Sequence, residues 1–203
     1  MLFRSKAAAA AGLAAIDAWR ARGSAKGTKG AEMAGEWHLA FVESEFLQKF
    51  TPFKVTEVAK TVDRSKAIKA LLETKTREMQ EKYLAIEAYG VAEYTMAAQV
   101  RFGDTAAMYA QKMNEVPIPS YILAIDKKNP DAGAIAAYEE ALAKNLEKYV
   151  VIARNAWVEV VDLAKRAGVS NKWSQLARES LNREFPDEFP VLHQELFTGT
   201  EAP

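Results

Sequence analysis

The carboxy-terminal third constrains this chain most, because it reads as helix, turn, helix and proline stop. Apolar residues recur in steps of three and four at Ile135, Tyr138, Leu142, Leu146, Tyr149, Ile152 or Ala153, Ala156, Val160, Leu163 and Ala167. That spacing is the period of one helix face. It predicts a single helix of over roughly thirty residues, opened by Asn129-Pro130-Asp131 with Pro130 in the first turn. Gly168-Val169-Ser170-Asn171 then turns the chain, with Ser170 or Asn171 capping a second helix. That helix ends at Leu181-Asn182-Arg183-Glu184-Phe185-Pro186. An aromatic and small residues, a Gly turn, a small-residue helix and a proline make the build of a helical-hairpin repeat. Such units present surface to other proteins.

The rest of the chain carries the same signals. Alanine is abundant, β-branched runs are short, and no Asn-Gly or Asp-Gly hairpin turn occurs. A first helix is predicted over residues 6–22, broken by a stretch holding Gly23, Gly27 and Gly30. A second follows over 31–50, with Ala34, Trp37, Ala40 or Phe41, and Leu47 on one side. Thr51-Pro52 fits an N-cap and first helical position. A long third segment, 52–89, carries Val55, Val58, Val62, Ile68, Leu71, Leu72, Lys75, Met79, Tyr83 and Ile86 at helical steps. It falters at Asp63-Arg64-Ser65, where a turn or kink fits, and Gly90 stops it. A fourth helix over 93–115 ends at Pro117-Ile118-Pro119. Residues 121–128 are ambiguous, and Asp187-Glu188-Phe189-Pro190 begins a final tail. The fold class expected is all-α: antiparallel helical hairpins in an irregular solenoid-like array with two long helices. The expected division is a hairpin over 1–50 and an irregular module over 51–203, closed by a terminal hairpin at 150–186.

Composition narrows the function. With 203 residues and 49% hydrophobic content, the chain can bury a real core. Lys+Arg and Asp+Glu are both 27, giving zero net charge. Neither nucleic acid nor an anionic membrane is favoured as a partner. The absence of cysteine excludes disulfides, thiolate metal sites and Cys nucleophiles. The longest apolar run, residues 7–16, falls short of the about 20 residues a membrane helix needs, so no integral membrane segment is expected. Arg4 and Lys6 before it also suit a signal peptide. Alanine is a weak membrane residue, however, and the helical pattern continues to Trp19, which favours an Ala-rich packing helix.

No motif carries recognisable chemistry. His38 and His193 are the only histidines, and neither has a second ligand at helical spacing, so no metal is expected. Glu139-Glu140 and Glu43-Ser44-Glu45 lack the Glu-x-x-His pairing of a di-iron bundle and read as helix-surface charge. The glycines at 23–30 lack Gly-Lys-Ser or Gly-Lys-Thr and follow no strand, so they form a linker, not a phosphate loop. No serine nucleophile elbow occurs. No catalytic residue or cofactor is therefore expected. Trp19, Trp37, Trp157 and Trp173 sit at helical positions and read as core anchors. Ile118, Tyr121 and Ile122 sit in or beside a proline-rich loop, where water should discourage them. Either the loop folds over the helix ends, or these three residues form a docking edge for another protein.

The ordered pieces resemble a known family. Lys75 to Tyr83, Ala97-Ala98-Gln99-Val100-Arg101-Phe102-Gly103, Val116-Pro117-Ile118-Pro119, Tyr138 to Leu142, and Asn171-Lys172-Trp173 with Leu181 and Phe185-Pro186 follow one another. In this order they resemble the carboxy-terminal module of large tetratricopeptide-repeat (TPR) proteins of myxobacteria and related delta-proteobacteria. That family includes cell-envelope proteins of the gliding-motility machinery. The likeness spans about residues 31–190. It departs at Ala106, where a repeat helix would carry a large aromatic, and no regular period of about 34 residues runs through the middle. The resemblance implies a non-enzymatic scaffold or adaptor that binds other proteins, in the periplasm or cell envelope. A second possibility, from helix length, is a self-associating oligomerisation module. Leu2-Phe3-Arg4-Ser5 matches a translated sequencing adapter, and Lys6 onward reads as the middle of an array. More protein is therefore expected upstream.

Overall fold

The computed structural model describes residues 6–55 and 65–191. These residues form seven α-helices, and no strand occurs among them. The helices are α1 (Lys6–Ala21), α2 (Lys29–Glu45), α3 (Ser65–Glu87), α4 (Ala92–Asn114), α5 (Ser120–Lys128), α6 (Ala134–Ala167) and α7 (Lys172–Glu184). Three antiparallel hairpins, α1/α2, α3/α4 and α6/α7, are packed side by side. Helix α4 lies against α3 on one side and α6 on the other, and also touches α2 and α7. It is the central helix of the array.

Local chemistry explains the boundaries. Thr28 is the N-cap of α2, its hydroxyl accepting from Ala31 N–H at 3.2 Å. Asn171 caps α7 through a reciprocal capping box with Ser174. Helix α2 runs into a π-helical turn, Phe46–Phe50. There the Thr51 N–H donates to the Phe46 carbonyl at 2.8 Å. Thr51 therefore closes this turn in right-handed helical conformation and does not start a new helix, contrary to the cap expected for Thr51-Pro52. The extra residue of a π turn rotates the helix face. Phe46 and Phe50 are both buried with rings stacked at 5.6 Å, while Leu47 is left 56% exposed. The buried face of α2 is Ala31, Ala34, Gly35, Leu39 and Val42; of the expected line Ala34 is buried, Trp37 and Phe41 pack half-buried against the core, and only Leu47 is at the surface. Trp37 also faces α1, where a Cβ on Gly12 would come within 2.5 Å of its ring. The other three tryptophans are buried.

Helix α6 has 34 residues and is about 50 Å long at 1.5 Å per residue. It starts later than expected. Pro130–Ala132 forms a separate 3-10 turn, and Gly133 at φ 60° breaks the chain direction before α6 begins. A left-handed residue cannot continue a right-handed helix. The ambiguous stretch after Pro119 is helical as α5. Of the other long segment, α3 accounts for 23 residues. Val58, Val62 and the Asp63-Arg64 break lie outside the described residues, as does His193.

One apolar core runs from Ile16 through Phe46, Tyr83, Val100 and Trp157 to Leu181. A smaller one gathers Ile68, Leu72, Tyr109, Met113 and Leu146. Gly103 lets α4 and α6 approach closely, since a Cβ there would lie 2.7 Å from Trp157 Nε1 and 3.1 Å from the Ala153 carbonyl. Beside this contact sits a polar network. Arg101 donates from Nε and Nη2 to both Glu43 oxygens at 2.9 and 2.8 Å, and from Nη1 to Asp104 at 2.8 Å. The Tyr83 hydroxyl donates to Glu43 at 2.7 Å, and Trp157 Nε1 to Asp104 at 3.1 Å. The guanidinium also lies 5.2 Å from the Phe46 ring centre and 5.4 Å from that of Trp173. Glu43 is thus a largely buried ion-pair partner, which corrects its reading as surface charge.

Trp173 is only 3% exposed and anchors the terminal hairpin. Trp173→Ala is expected to lower stability by about 3–5 kcal/mol, as for other buried aromatics cut to alanine. Chemical denaturation of the two proteins checks this, and unchanged stability would show that the hairpin does not pack through this ring.

Candidate functional site

The two halves of α6 are buried differently, and a cleft results. Ala153, Trp157, Val160 and Ala164 are covered by α4 and α7, whereas Ile135, Tyr138 and Leu142 are only half-buried. There the chain turns away from α4 through Val116-Pro117-Ile118-Pro119, and the nine-residue α5 packs against α6. Between the start of α3, the end of α4 and the first half of α6 lies a hollow of about 260 Å³. Buried Tyr109, Met113, Val116 and Leu146 form its base. Tyr138, Tyr149 and Tyr121 add three more phenol rings, and Lys66, Lys69 and Lys148 stand exposed at its edge with Glu73.

The tyrosines are organised. The rings of Tyr109 and Tyr149 pack with centroids 4.1 Å apart, tilted by 37°. Tyr109 donates its hydroxyl proton to Glu73 at 3.2 Å, and Glu73 also pairs with Lys69 at 4.0 Å. Lys148 Nζ lies 4.9 Å from the Tyr149 ring centre. Burial, and then Tyr149 and Glu73, hold the Tyr109 phenol well above its ordinary range. Burial first and then Tyr121 raise that of Tyr138. Both phenols therefore stay protonated at neutral pH and present rigid apolar faces with a hydrogen-bonding tip. The cleft is suited to an apolar side chain flanked by negative charge.

Of the three residues expected to form a docking edge, the structure places one in this cleft. Tyr121 lines it and is 63% exposed. Ile118 and Ile122 are half-buried and do not line it. Tyr121 and Ile122 belong to the first turn of α5, not to a loop, because Pro119 sits at the N-cap with φ −56° and leads directly into helix. Tyr109, Tyr138, Tyr149 and the lysines were not singled out as a site. Tyr138 and Tyr149 appear in the sequence as members of an apolar stripe that also holds Leu142 and Leu146, and no local signal marks them as a site.

The remaining candidates lie apart. His38 Nδ1 is 3.1 Å from the Tyr89 hydroxyl, with the rings edge to face. Among the described residues no group of three or more His, Asp or Glu side chains is placed to hold a metal ion. Glu45 pairs with Lys82 at 2.7 Å and with Lys49 at 3.5 Å. No protein-family model, curated protein or solved structure matches this chain.

His38 gives a pH test of the α2 packing. Burial, and secondarily Arg20, lower its pKa below the ordinary 6.5. The unfolded chain then binds more protons than the folded one as pH falls through that ordinary value. Its contribution to stability is complete above this pH and is lost below it, down to the folded pKa. Lowering pH from about 7.5 to about 5.5 is expected to reduce the melting temperature, and His38→Gln should flatten that slope. Parallel slopes for the two proteins would show that His38 is not the responsible group.

Proposed function

We propose that this chain is a non-enzymatic interaction module, a scaffold or adaptor of tetratricopeptide-repeat type, whose recognition site is the tyrosine cleft. The observation that carries the reading is the cleft itself: among the described residues, four tyrosines and an apolar base, edged by three lysines and one glutamate. Aromatic side chains supply large contact area at little conformational cost, and they are enriched where proteins bind proteins. Lysines at the edge steer and orient an acidic partner while their stems add apolar surface. The array of antiparallel hairpins agrees with a scaffold role, since stacked helical pairs offer extended binding surfaces. The favoured ligand is a protein segment with an apolar anchor between acidic residues.

The resemblance to envelope proteins of motility machines supports a place in the bacterial cell envelope, including the periplasm, within a larger assembly. Among the described residues no helix is long and apolar enough to cross a membrane. Partner contact would then be made by this module or by repeats joined to it.

A random peptide library displayed on phage and selected on the full chain tests the reading. Peptides combining an aromatic or long aliphatic residue with neighbouring Asp or Glu are expected to enrich. They should bind at least about tenfold more weakly to Tyr138→Ala or Lys148→Glu, a loss of about 1.4 kcal/mol or more. Selection of the same peptides by wild type and both variants would place recognition elsewhere.

A further inference from the structure

A second hollow carries the opposite charge. Glu32, Glu36 and Glu93 line a groove of about 490 Å³ at the starts of α2 and α4, together with Tyr94, Val91 and Lys29. Met33 stands beside them, 57% exposed. All three carboxylates act on the half-buried Tyr94 hydroxyl: burial first, and then Glu36, Glu93 and Glu32, raise its pKa. Among the described residues the groove has three glutamates against one lysine, an excess of two negative charges. Among the described residues the tyrosine cleft has three lysines against one glutamate, an excess of two positive charges.

Their positions matter as much as their signs. Helix α4 contributes Glu93 and Tyr94 to the groove and Tyr109 and Met113 to the cleft. At 1.5 Å per residue the two sites are about 25 Å apart along one helix. A two-fold dimer built on either site would set like charge against like. A head-to-tail contact sets unlike charges together and leaves one free site at each end. Each hollow also has a protruding apolar side chain beside it: Met33 at the groove and Tyr121 at the cleft. Methionine sulfur against aromatic rings is a favourable contact.

We propose that the occupant of the tyrosine cleft is a second copy of this chain, docked head to tail, its Glu32, Met33 and Glu36 meeting Tyr121, Lys66 and Lys148. This rests on the reading of the cleft as a protein-binding site and names its partner. The contact is heterologous, so assembly continues past the dimer into a ring or an open filament. It is also salt-sensitive, because the paired charges are exposed in the free chain.

Sedimentation velocity of the full chain over about 1 to 500 µM, at low salt and at about 0.5 M salt, tests it. Species larger than a dimer are expected to grow with concentration and to shrink with salt. Two variants sharpen the test. Lys66→Glu with Lys148→Glu gives two acidic sites, and Glu32→Lys with Glu36→Lys and Glu93→Lys gives two basic ones. All five side chains are exposed, and unchanged melting curves would verify folding. Each variant alone is expected to stay monomeric, and an equimolar mixture should assemble, since each supplies the surface the other lacks. Zero-length carbodiimide coupling in the wild type should join Lys66 or Lys148 of one isotopically labelled copy to Glu32 or Glu36 of an unlabelled one. A wild type that stays monomeric or stops at a dimer overturns the proposal, as does a mixture that fails to assemble. If the wild type is monomeric yet still selects peptides through Tyr138 and Lys148, only the self-docking fails. If it does neither, the reading of the cleft fails as well.

Discussion

A guanidinium enclosed by two carboxylates and two aromatic rings holds this array in register. Arg101 projects from the central helix and meets Glu43 from α2 and Asp104 one turn along α4. Phe46 and Trp173 lie beside it. The second carboxylate leaves an excess negative charge, and neutral donors meet it. Tyr83 of α3 donates to Glu43, and Trp157 of α6 donates to Asp104. Burial tends to raise the Asp104 pKa, while Arg101 and Trp157 oppose that tendency. Five helices thus meet at one charge. A buried ion pair adds little net stability, because desolvation offsets attraction, but losing one partner costs about 3–5 kcal/mol. The network therefore selects one arrangement of the helices more than it strengthens them. Packing supplies the strength, through the close α4–α6 approach at Gly103 and the burial of Trp157.

The cleft follows from the same arrangement. Once α4 and α7 are fixed against the second half of α6, its first turns extend beyond the contacts of Leu146 and Tyr149 with the end of α4. Lys112 holds the opposite side of this region: it is 8% exposed and donates to the Thr51 and Phe53 carbonyls at 3.2 and 2.7 Å. These bonds tie the end of the π turn to the last turns of α4, and so position Tyr109 and Met113. A partly covered helix half would ordinarily be an apolar liability. Here tyrosines and lysine stems occupy it, and such side chains tolerate both water and a partner.

The helical architecture was legible because its signals are local. Three- and four-residue steps, Gly turns, the Pro117-Ile118-Pro119 break and the Asn171 cap each act within a few residues. What failed depended on hydrogen bonds or contacts that sequence spacing does not show. The π turn at Phe46–Phe50 rotated the α2 face, so Leu47 went to the surface and Thr51 lost its expected role. Gly133 adopts a left-handed conformation that separated Pro130 from α6. Glu43 read as surface charge because its partner lies 58 residues away. The cleft was legible only at Tyr121. Tyr138 and Tyr149 look like core residues in a stripe, and only the packing shows that this face of α6 is left half-buried.

Hydrogen exchange followed by mass spectrometry on wild type and Arg101→Met tests the claim of a shared register most directly. Methionine keeps much of the volume and removes the charge. If Arg101 coordinates the array, protection should fall together in α2 around Glu43, α3 around Tyr83, α6 around Trp157 and α7 around Trp173. A loss confined to the turns of α4 next to Arg101 would contradict the account and leave apolar packing alone as the source of helix register.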